Sequence, residues 1–304
     1  MIINKYTIIS YYNFTEIKNI FKCKNFFNKA VKNLDLKGII LIAPEGVNLN
    51  VSIISAQKDL FLSSLSNFFS FSHNDLKLSY ENEHIFRKIK IKIKREILTT
   101  RLNNEINPVK SVGEYIKPKD WDNFIRESNV LLIDTRNYYE ANIGTFENSI
   151  NPNAKDFSEL LEWLNNNLEK TENKNKKVAL FCTGGIRCEK ATSYLKIKGH
   201  KNIFHLKGGI LKYLEQVKSN KSWKGECFVF DNRVSINKKL EKGHYTLCFA
   251  CRMPLSKNDI NSKKYIRGEA CPNCHGKKSD KQINKYKTRN KQFDNAGNLE
   301  TSKL

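Results

Sequence analysis

Two groups of cysteines carry a spacing that chemistry would need. The first lies in Phe181-Cys182-Thr183-Gly184-Gly185-Ile186-Arg187-Cys188-Glu189, directly after the apolar run Val178-Ala179-Leu180-Phe181 and directly before a helical pattern. A cysteine at the end of a buried strand, followed by glycines that let the backbone curl and then by a helix start, sits in a nest of amide N–H groups at a positive dipole end. Such a place favours thiolate over thiol. Arg187 adds a fixed positive charge that can support the thiolate, a persulfide or an incoming anion. Cys182 and Arg187 are therefore the candidate catalytic residues, with Thr183, Gly184, Gly185, Ile186 and Cys188 supporting the loop. A phosphatase loop would need Cys-x5-Arg; here the arginine comes one residue early and Cys188 takes its place, which suits sulfur better than phosphate.

The second group is Cys248-x2-Cys251, 19 further residues, then Cys271-x2-Cys274. Four thiolates at this spacing match a tetrahedral zinc ribbon, so Cys248, Cys251, Cys271 and Cys274 are candidate ligands of a structural Zn2+; redox-active or merely buried thiols are the alternative. His244 and His275 adjoin the pairs and could substitute as ligands or lie on the surface. Cys23, among Ile20, Phe21, Phe26 and Phe27, reads as a core residue. Asp231 and Arg233 read as an ion pair or turn, and Glu45 and Asn48 either form a turn or face a polyanion.

These residues need a scaffold, and 304 residues with 39% hydrophobic content are enough for two or three units with their own cores. Residues 1–104 suggest strand, helix, two strands, helix and strand: Ile3 to Ser10, Thr15 to Leu34, Gly38 to Ala43, Val47 to Ile53, Ala56 to Phe69 and Lys88 to Ile97. That order predicts a small α+β sandwich, ferredoxin- or acylphosphatase-like, with an antiparallel sheet. The period-2 stretch Lys88-Ile89-Lys90-Ile91-Lys92-Ile93-Lys94 puts isoleucines on one face and lysines on the other, as a protected edge or a phosphate contact. Thr99 to Pro118 reads as a linker, with a boundary near Glu105. Residues 105–222 alternate short apolar strands with helices: a helix near Lys119 to Glu127, strand Val130 to Ile133, helix Phe157 to Leu168, strand Val178 to Phe181, helix Glu189 to Lys198, strand Ile203 to Leu206 and a helix from Gly209. This is the α/β pattern of a parallel sheet covered by helices on both faces. Residues 223–276 form a cysteine-rich module, and 277–304 read as a basic, disordered tail.

The net charge of +22 favours a polyanionic partner, nucleic acid first. Only 10 of the 53 basic residues are arginine, so AT-rich codon usage contributes to that charge. No apolar run approaches the roughly 18 residues of a membrane span, and Met1 to Tyr12 lacks a signal-peptide pattern, so a cytoplasmic protein with reduced thiols is expected.

Leu132-Ile133-Asp134-Thr135-Arg136, the 182–188 loop and His205-Leu206-Lys207-Gly208-Gly209-Ile210 resemble successive signatures of rhodanese domains. The resemblance implies a persulfide-forming Cys182 and scaffold roles for Asp134 and Arg136; it departs at Thr145, where many rhodaneses have histidine. With Glu45-Gly46-Val47-Asn48, the run Gly225-Glu226-Cys227-Phe228-Val229-Phe230-Asp231-Asn232-Arg233-Val234 and the paired cysteines, the chain from Tyr6 to about His275 resembles the bacterial tRNA uridine(34) hydroxylase family, departing at Leu49-Asn50.

That resemblance implies 5-hydroxyuridine formation at the wobble position, with the tRNA anticodon loop as partner and O2 and an unidentified reductant as co-substrates. No Walker loop, dinucleotide fingerprint or clear 2-His-1-carboxylate set supplies a redox cofactor. Cys182 could add to C6 of uracil, with Cys188 assisting reduction or release, or could act through a persulfide. The alternatives are a sulfurtransferase carrying persulfide sulfur to tRNA or another acceptor, and an RNA-binding module with a degenerate rhodanese domain.

Overall fold

Apolar alternation in the first hundred residues builds one sheet with helices on it. A computed structural model describes residues 5–102, 106–169, 175–219 and 221–295. Its first domain contains β1 (Tyr6–Phe14), α1 (Ile20–Asn33), β2 (Leu36–Ala43), β3 (Gly46–Ile54), α2 (Lys58–Ser66), β4 (Lys77–Glu81) and β5 (Ile89–Ile93), with sheet order β4-β1-β3-β2-β5. The Asn19 side chain caps α1 by accepting from the Lys22 amide, and Cys23, Phe27 and Ala30 follow at helical spacing on its buried face. They pack on Ile9, Ile40, Val47, Leu49 and Val51 of the sheet.

Two expectations change here. The sheet is antiparallel except for β5, which crosses to the far edge and runs parallel to β2. The strand β4 has no counterpart in the sequence reading, because Lys77-Leu78-Ser79-Tyr80-Glu81 is too polar to signal a strand; pairing with β1 creates it. In β5, Ile89 and Ile91 reach the core while Lys88, Lys90, Lys92 and Lys94 stay exposed along an open edge. The boundary expected near residue 105 lies outside the described residues.

The central domain comprises β6 (Glu114–Ile116), α3 (Pro118–Phe124), β7 (Val130–Asp134), α4 (Tyr138–Ala141), β8 (Gly144–Phe146), α5 (Phe157–Leu168), β9 (Lys177–Phe181), α6 (Ile186–Ile197), β10 (Ile203–Leu206) and α7 (Gly209–Gln216). Its four-stranded sheet, order β6-β10-β9-β7, is parallel throughout. Alternate side chains enter separate cores: Ile133, Val178 and Leu180 on one face, Leu132, Ala179 and Phe181 on the other. β6 lies inside the stretch read as linker, a three-residue strand too short to show periodicity.

The C-terminal part holds β11 (Trp223–Gly225), β12 (Cys227–Phe228), β13 (Ser235–Ile236), β14 (Thr246–Leu247), β15 (Pro254–Leu255), α8 (Lys257–Ile260) and α9 (Asp280–Asn295). β11 pairs with β8, and Trp223, Cys227, Val229 and Ile236 pack into the central core, so the segment from 223 serves the central domain before the cysteine cluster forms its own small core. The expectation of a disordered tail from residue 277 fails for α9. Tyr286 packs on the cysteine core, Arg289 donates to the Phe249 carbonyl and Asn290 to the Arg267 carbonyl at 3.3 Å. Composition concealed this helix because few apolar side chains dock it; residues 296–304 lie outside the described set. Among the described residues, no helix is long and apolar enough to cross a membrane.

The first domain sits against the central one through buried polar contacts. Lys190 of α6 reaches Glu45 at 2.9 Å, Glu96 at 2.7 Å and the Leu98 carbonyl at 2.8 Å. Arg233, paired with Asp231, also meets Ser79 Oγ at 3.0 Å on β4. Glu45 further accepts from the Ile97 amide, so Glu45 and the Asp231–Arg233 pair both serve the domain seam.

Candidate active site

The end of β9 delivers Cys182 into the turn before α6. Gly185 has φ +104° and Gly209 φ +68°, a region that disfavours any side chain; a Cβ on Gly209 would lie 2.5 Å from the Cys182 carbonyl oxygen. With that space clear, the Ile210 and Leu211 amides donate to the Cys182 and Thr183 carbonyls, locking the loop to the start of α7. The helix begins at Ile186, three residues earlier than its periodicity suggests, so Arg187 and Cys188 belong to its first turn.

Cys182 is fully buried, and its Sγ accepts from the Gly185 amide at 3.0 Å. Burial opposes ionisation, but the hydrogen bond from the Cys188 thiol, the Arg187 charge and the Cys188 and Gly185 amides outweigh it, lowering the thiol from 9.0 to about 5. Cys188 moves the other way, raised by burial and by giving its hydrogen to Cys182; Thr135 Oγ1 lies 3.5 Å from its sulfur. The difference in 240 nm absorbance between the wild type and Cys182→Ser, followed against pH, is expected to inflect at about 5. An inflection at the ordinary thiol position of about 8.5 would remove the thiolate argument.

Arg187 is held by Glu140 of α4, Nη1 to Oε2 at 2.6 Å and Nη2 to Oε1 at 2.8 Å, with Thr183 Oγ1 3.3 Å from both side chains. Glu140 itself ends a capping box begun by Asn137. Beneath the loop, Arg136 pairs bidentately with Asp134 at 2.9 and 2.6 Å, both fully buried. Thr145, at the position of the departure from the rhodanese pattern, donates to Asp134 Oδ2 at 2.8 Å and so joins this scaffold.

The loop residues 182–188 thus come together as read from the sequence, but other residues gather at the loop that the reading missed. Tyr12 of β1 donates to Glu189 Oε1 at 2.7 Å, and Lys77 of β4 lies 4.5 Å over the Tyr12 ring. Tyr115 stands against the buried, neutral His205 ring at 4.3 Å; burial brings that imidazole down to about 3. No local motif marks Tyr12, Lys77, Tyr115 or Glu140. Tyr12, Lys77 and Tyr115 lie in β1, β4 and β6, three strands remote from one another in the chain, and the one local signal for Glu140 is its Asn-x-x-Glu cap.

The second cysteine group also assembles. The sulfurs of Cys248, Cys251, Cys271 and Cys274 all lie within 4.8 Å of one another, a set that could hold a metal ion; His244 instead pairs with Glu226 at 2.6 Å. The Cys251–Cys271 and Cys271–Cys274 sulfur distances are 3.6 and 3.8 Å. A tetrahedron of Zn–S bonds of about 2.3 Å requires S–S separations of about 3.8 Å, so the donors fit zinc.

A parallel sheet ending in a thiolate loop, with a small α+β domain closing over it, defines a rhodanese-like cysteine protein with an acylphosphatase-like partner domain. Protein-family comparisons agree: residues 6–97 match the UPF0176 acylphosphatase-like domain and residues 117–216 the rhodanese-like domain. A tRNA uridine(34) hydroxylase of Prochlorococcus marinus strain MIT 9515 is 44% identical over 96% of this chain and 99% of its own. A second, from Prochlorococcus marinus subsp. pastoris, is 44% identical over 96% of this chain and 95% of its own. The chain belongs to the tRNA uridine(34) hydroxylase family. Among solved structures, the rhodanese-like domain of an Anabaena species is 16% identical and covers 36% of this chain and 78% of its own, with a TM-score of 0.31.

Proposed function

We propose that the chain hydroxylates uridine 34 of tRNA to 5-hydroxyuridine in the cytoplasm, with Cys182 as nucleophile and Arg187 and the loop amides as its electrostatic support. The observation that carries this reading is the buried Cys182 sulfur accepting from the Gly185 amide at 3.0 Å, in the loop that carries Arg187, in a chain of this family. The thiolate adds to C6 of the uracil, and the electron pair of the C5=C6 bond moves to C5. The electron-rich C5 takes up O2, and an external two-electron reductant with two protons converts the C5 hydroperoxide to a hydroxyl and water. Loss of the C5 proton and of the Cys182 thiolate restores the C5=C6 bond. Cys188 assists release by restoring its thiol hydrogen bond to the departing Cys182 thiolate while keeping its own proton. An anticodon-loop base suits such a site because it can be splayed out without breaking a helix. The exposed lysines of β5 and the basic C-terminal helix support phosphate contact.

A second reading, persulfide transfer by Cys182, draws on the same loop, since its amides would hold a terminal sulfur equally well. Mass spectrometry of nucleosides from tRNA incubated aerobically with the protein and a reductant separates the two. 5-Hydroxyuridine supports hydroxylation; thiolated uridine, or cyanide-trappable sulfur without any modified base, moves the chain to sulfur transfer.

We further propose a structural Zn2+ on Cys248, Cys251, Cys271 and Cys274. Elemental analysis is expected to find one zinc per chain, and Cys271→Ala to release it. That loss is expected to raise amide exchange across residues 246–276 and leave the central sheet protected. Full retention of zinc by the variant would rule out this ligand set.

A further inference from the structure

A cavity of about 420 Å3 lies where the two domains meet, lined by Tyr12, Lys77, Tyr115, Glu189, Lys207 and Gly208 among others. Its size falls in the roughly 300–1,000 Å3 range of small-molecule sites. Tyr12 and Lys77 come from the first domain, the other four from the central one. The wall touches the reactive loop: the Tyr12 hydroxyl would sit 2.6 Å from a Cβ on Gly185, whose amide binds the Cys182 sulfur. The Cys182 charge is felt by Tyr12, Lys77 and Glu189 alike. Among the described residues no carboxylate pairs with Lys77 at ion-pair distance, although its side chain is nearly buried; its ammonium meets the Tyr12 ring at 4.5 Å. A buried ammonium in that position is costly unless it meets a polar ligand.

We propose that this chamber binds the uracil ring, with the Lys77 ammonium donating to a uracil carbonyl oxygen and the rings of Tyr12 and Tyr115 forming its aromatic walls. The inference rests on the hydroxylation reading. As the sulfur–C6 bond forms, the C5=C6 pair passes to C5 and on to the C4 carbonyl oxygen, producing an enolate. Lys77 stabilises that oxygen until the pair is spent on the C5–O bond to O2, and again when loss of the C5 proton regenerates the enolate that expels the thiolate. Cytosine carries an amino group at C4, a donor facing a donor, so the same ammonium selects uridine. Burial lowers Lys77 to about 8, against the pull of Glu189, Cys182 and Asp75 and with the repulsion of Lys212. Its proton is therefore less tightly held than that of a surface lysine, which suits donation to an enolate.

The test uses the full chain and an anticodon stem–loop RNA with uridine or cytidine at position 34. The wild type is expected to prefer uridine by about tenfold or more. Lys77→Met is expected to lose that preference without losing affinity for the cytidine RNA, and to slow 5-hydroxyuridine formation by about 100-fold or more. Independently of that variant's folding, 4-thiouridine at position 34 is expected to photocrosslink the wild type at Tyr12 or Tyr115. Crosslinks at Phe86 or Phe230, which line the neighbouring cleft, or a uridine preference that survives in Lys77→Met, would overturn the chamber while leaving hydroxylation intact. Crosslinks at Tyr12 from a wild type that forms no 5-hydroxyuridine would keep the chamber and overturn the reaction instead.

Discussion

Cys182→Ala is expected to form no detectable 5-hydroxyuridine, a loss of at least roughly a thousandfold, while still binding tRNA with near wild-type affinity. The reason is the division of labour in the structure. The cradle of amides at the start of α6 acts on one atom, the Cys182 sulfur, and alanine leaves the cradle with nothing to hold. A nucleophile that forms a covalent intermediate has no substitute within reach, because the neighbouring thiol, Cys188, is raised by burial and stays protonated. The phosphate contacts proposed above lie elsewhere, on the exposed lysines of the β5 edge, so affinity should persist and should fall with salt in both proteins alike. Liquid chromatography with mass spectrometry on digested tRNA reads the product, and filter binding reads the affinity. Residual 5-hydroxyuridine within tenfold of wild type would remove Cys182 from the chemistry, whatever its ionisation.

Glu140→Ala is expected to destabilise the central domain by about 3–5 kcal/mol, because it leaves the buried Arg187 guanidinium without its carboxylate. Glu140 is fully buried and accepts both of Arg187's carboxylate hydrogen bonds, leaving only the neutral Thr183 hydroxyl at 3.3 Å when it is removed. The double variant Glu140→Leu with Arg187→Leu is expected to recover a large part of that loss, since removing both charges removes the unpaired one. Thermal and urea unfolding of the three proteins measure this coupling. If Glu140→Ala unfolds within about 1 kcal/mol of wild type, the ion pair is not what holds the loop in place.

The parts legible in the sequence were those written over short distances. Val178 to Phe181, Cys182 to Cys188 and Gly209 form one strand, one turn and one helix start, and their apolar runs and glycines report local backbone needs directly. The extents of α5 (Phe157–Leu168) and β10 (Ile203–Leu206) follow from periodicity for the same reason. The parallel β5, the polar β4 and the docked α9 were not legible, since each is stabilised by partners remote in the chain: β2, β1, and the Phe249 and Arg267 carbonyls.

The candidate site divides along the same line. The sequence by itself singled out the candidate nucleophile, its glycine-rich cradle and the four cysteines of the C-terminal cluster, because spacing alone sets which of these side chains can share a loop or a metal. Only the tertiary structure decided what surrounds them. The Tyr12–Glu189 hydrogen bond spans 177 positions, and the Glu140–Arg187 pair 47, distances over which no periodicity or motif carries information. The first exists because the first domain's sheet packs against the loop at the end of β9 and the second because α4 meets the start of α6 within the central domain; packing of preformed surfaces is a property of their shapes rather than of any local run of residues.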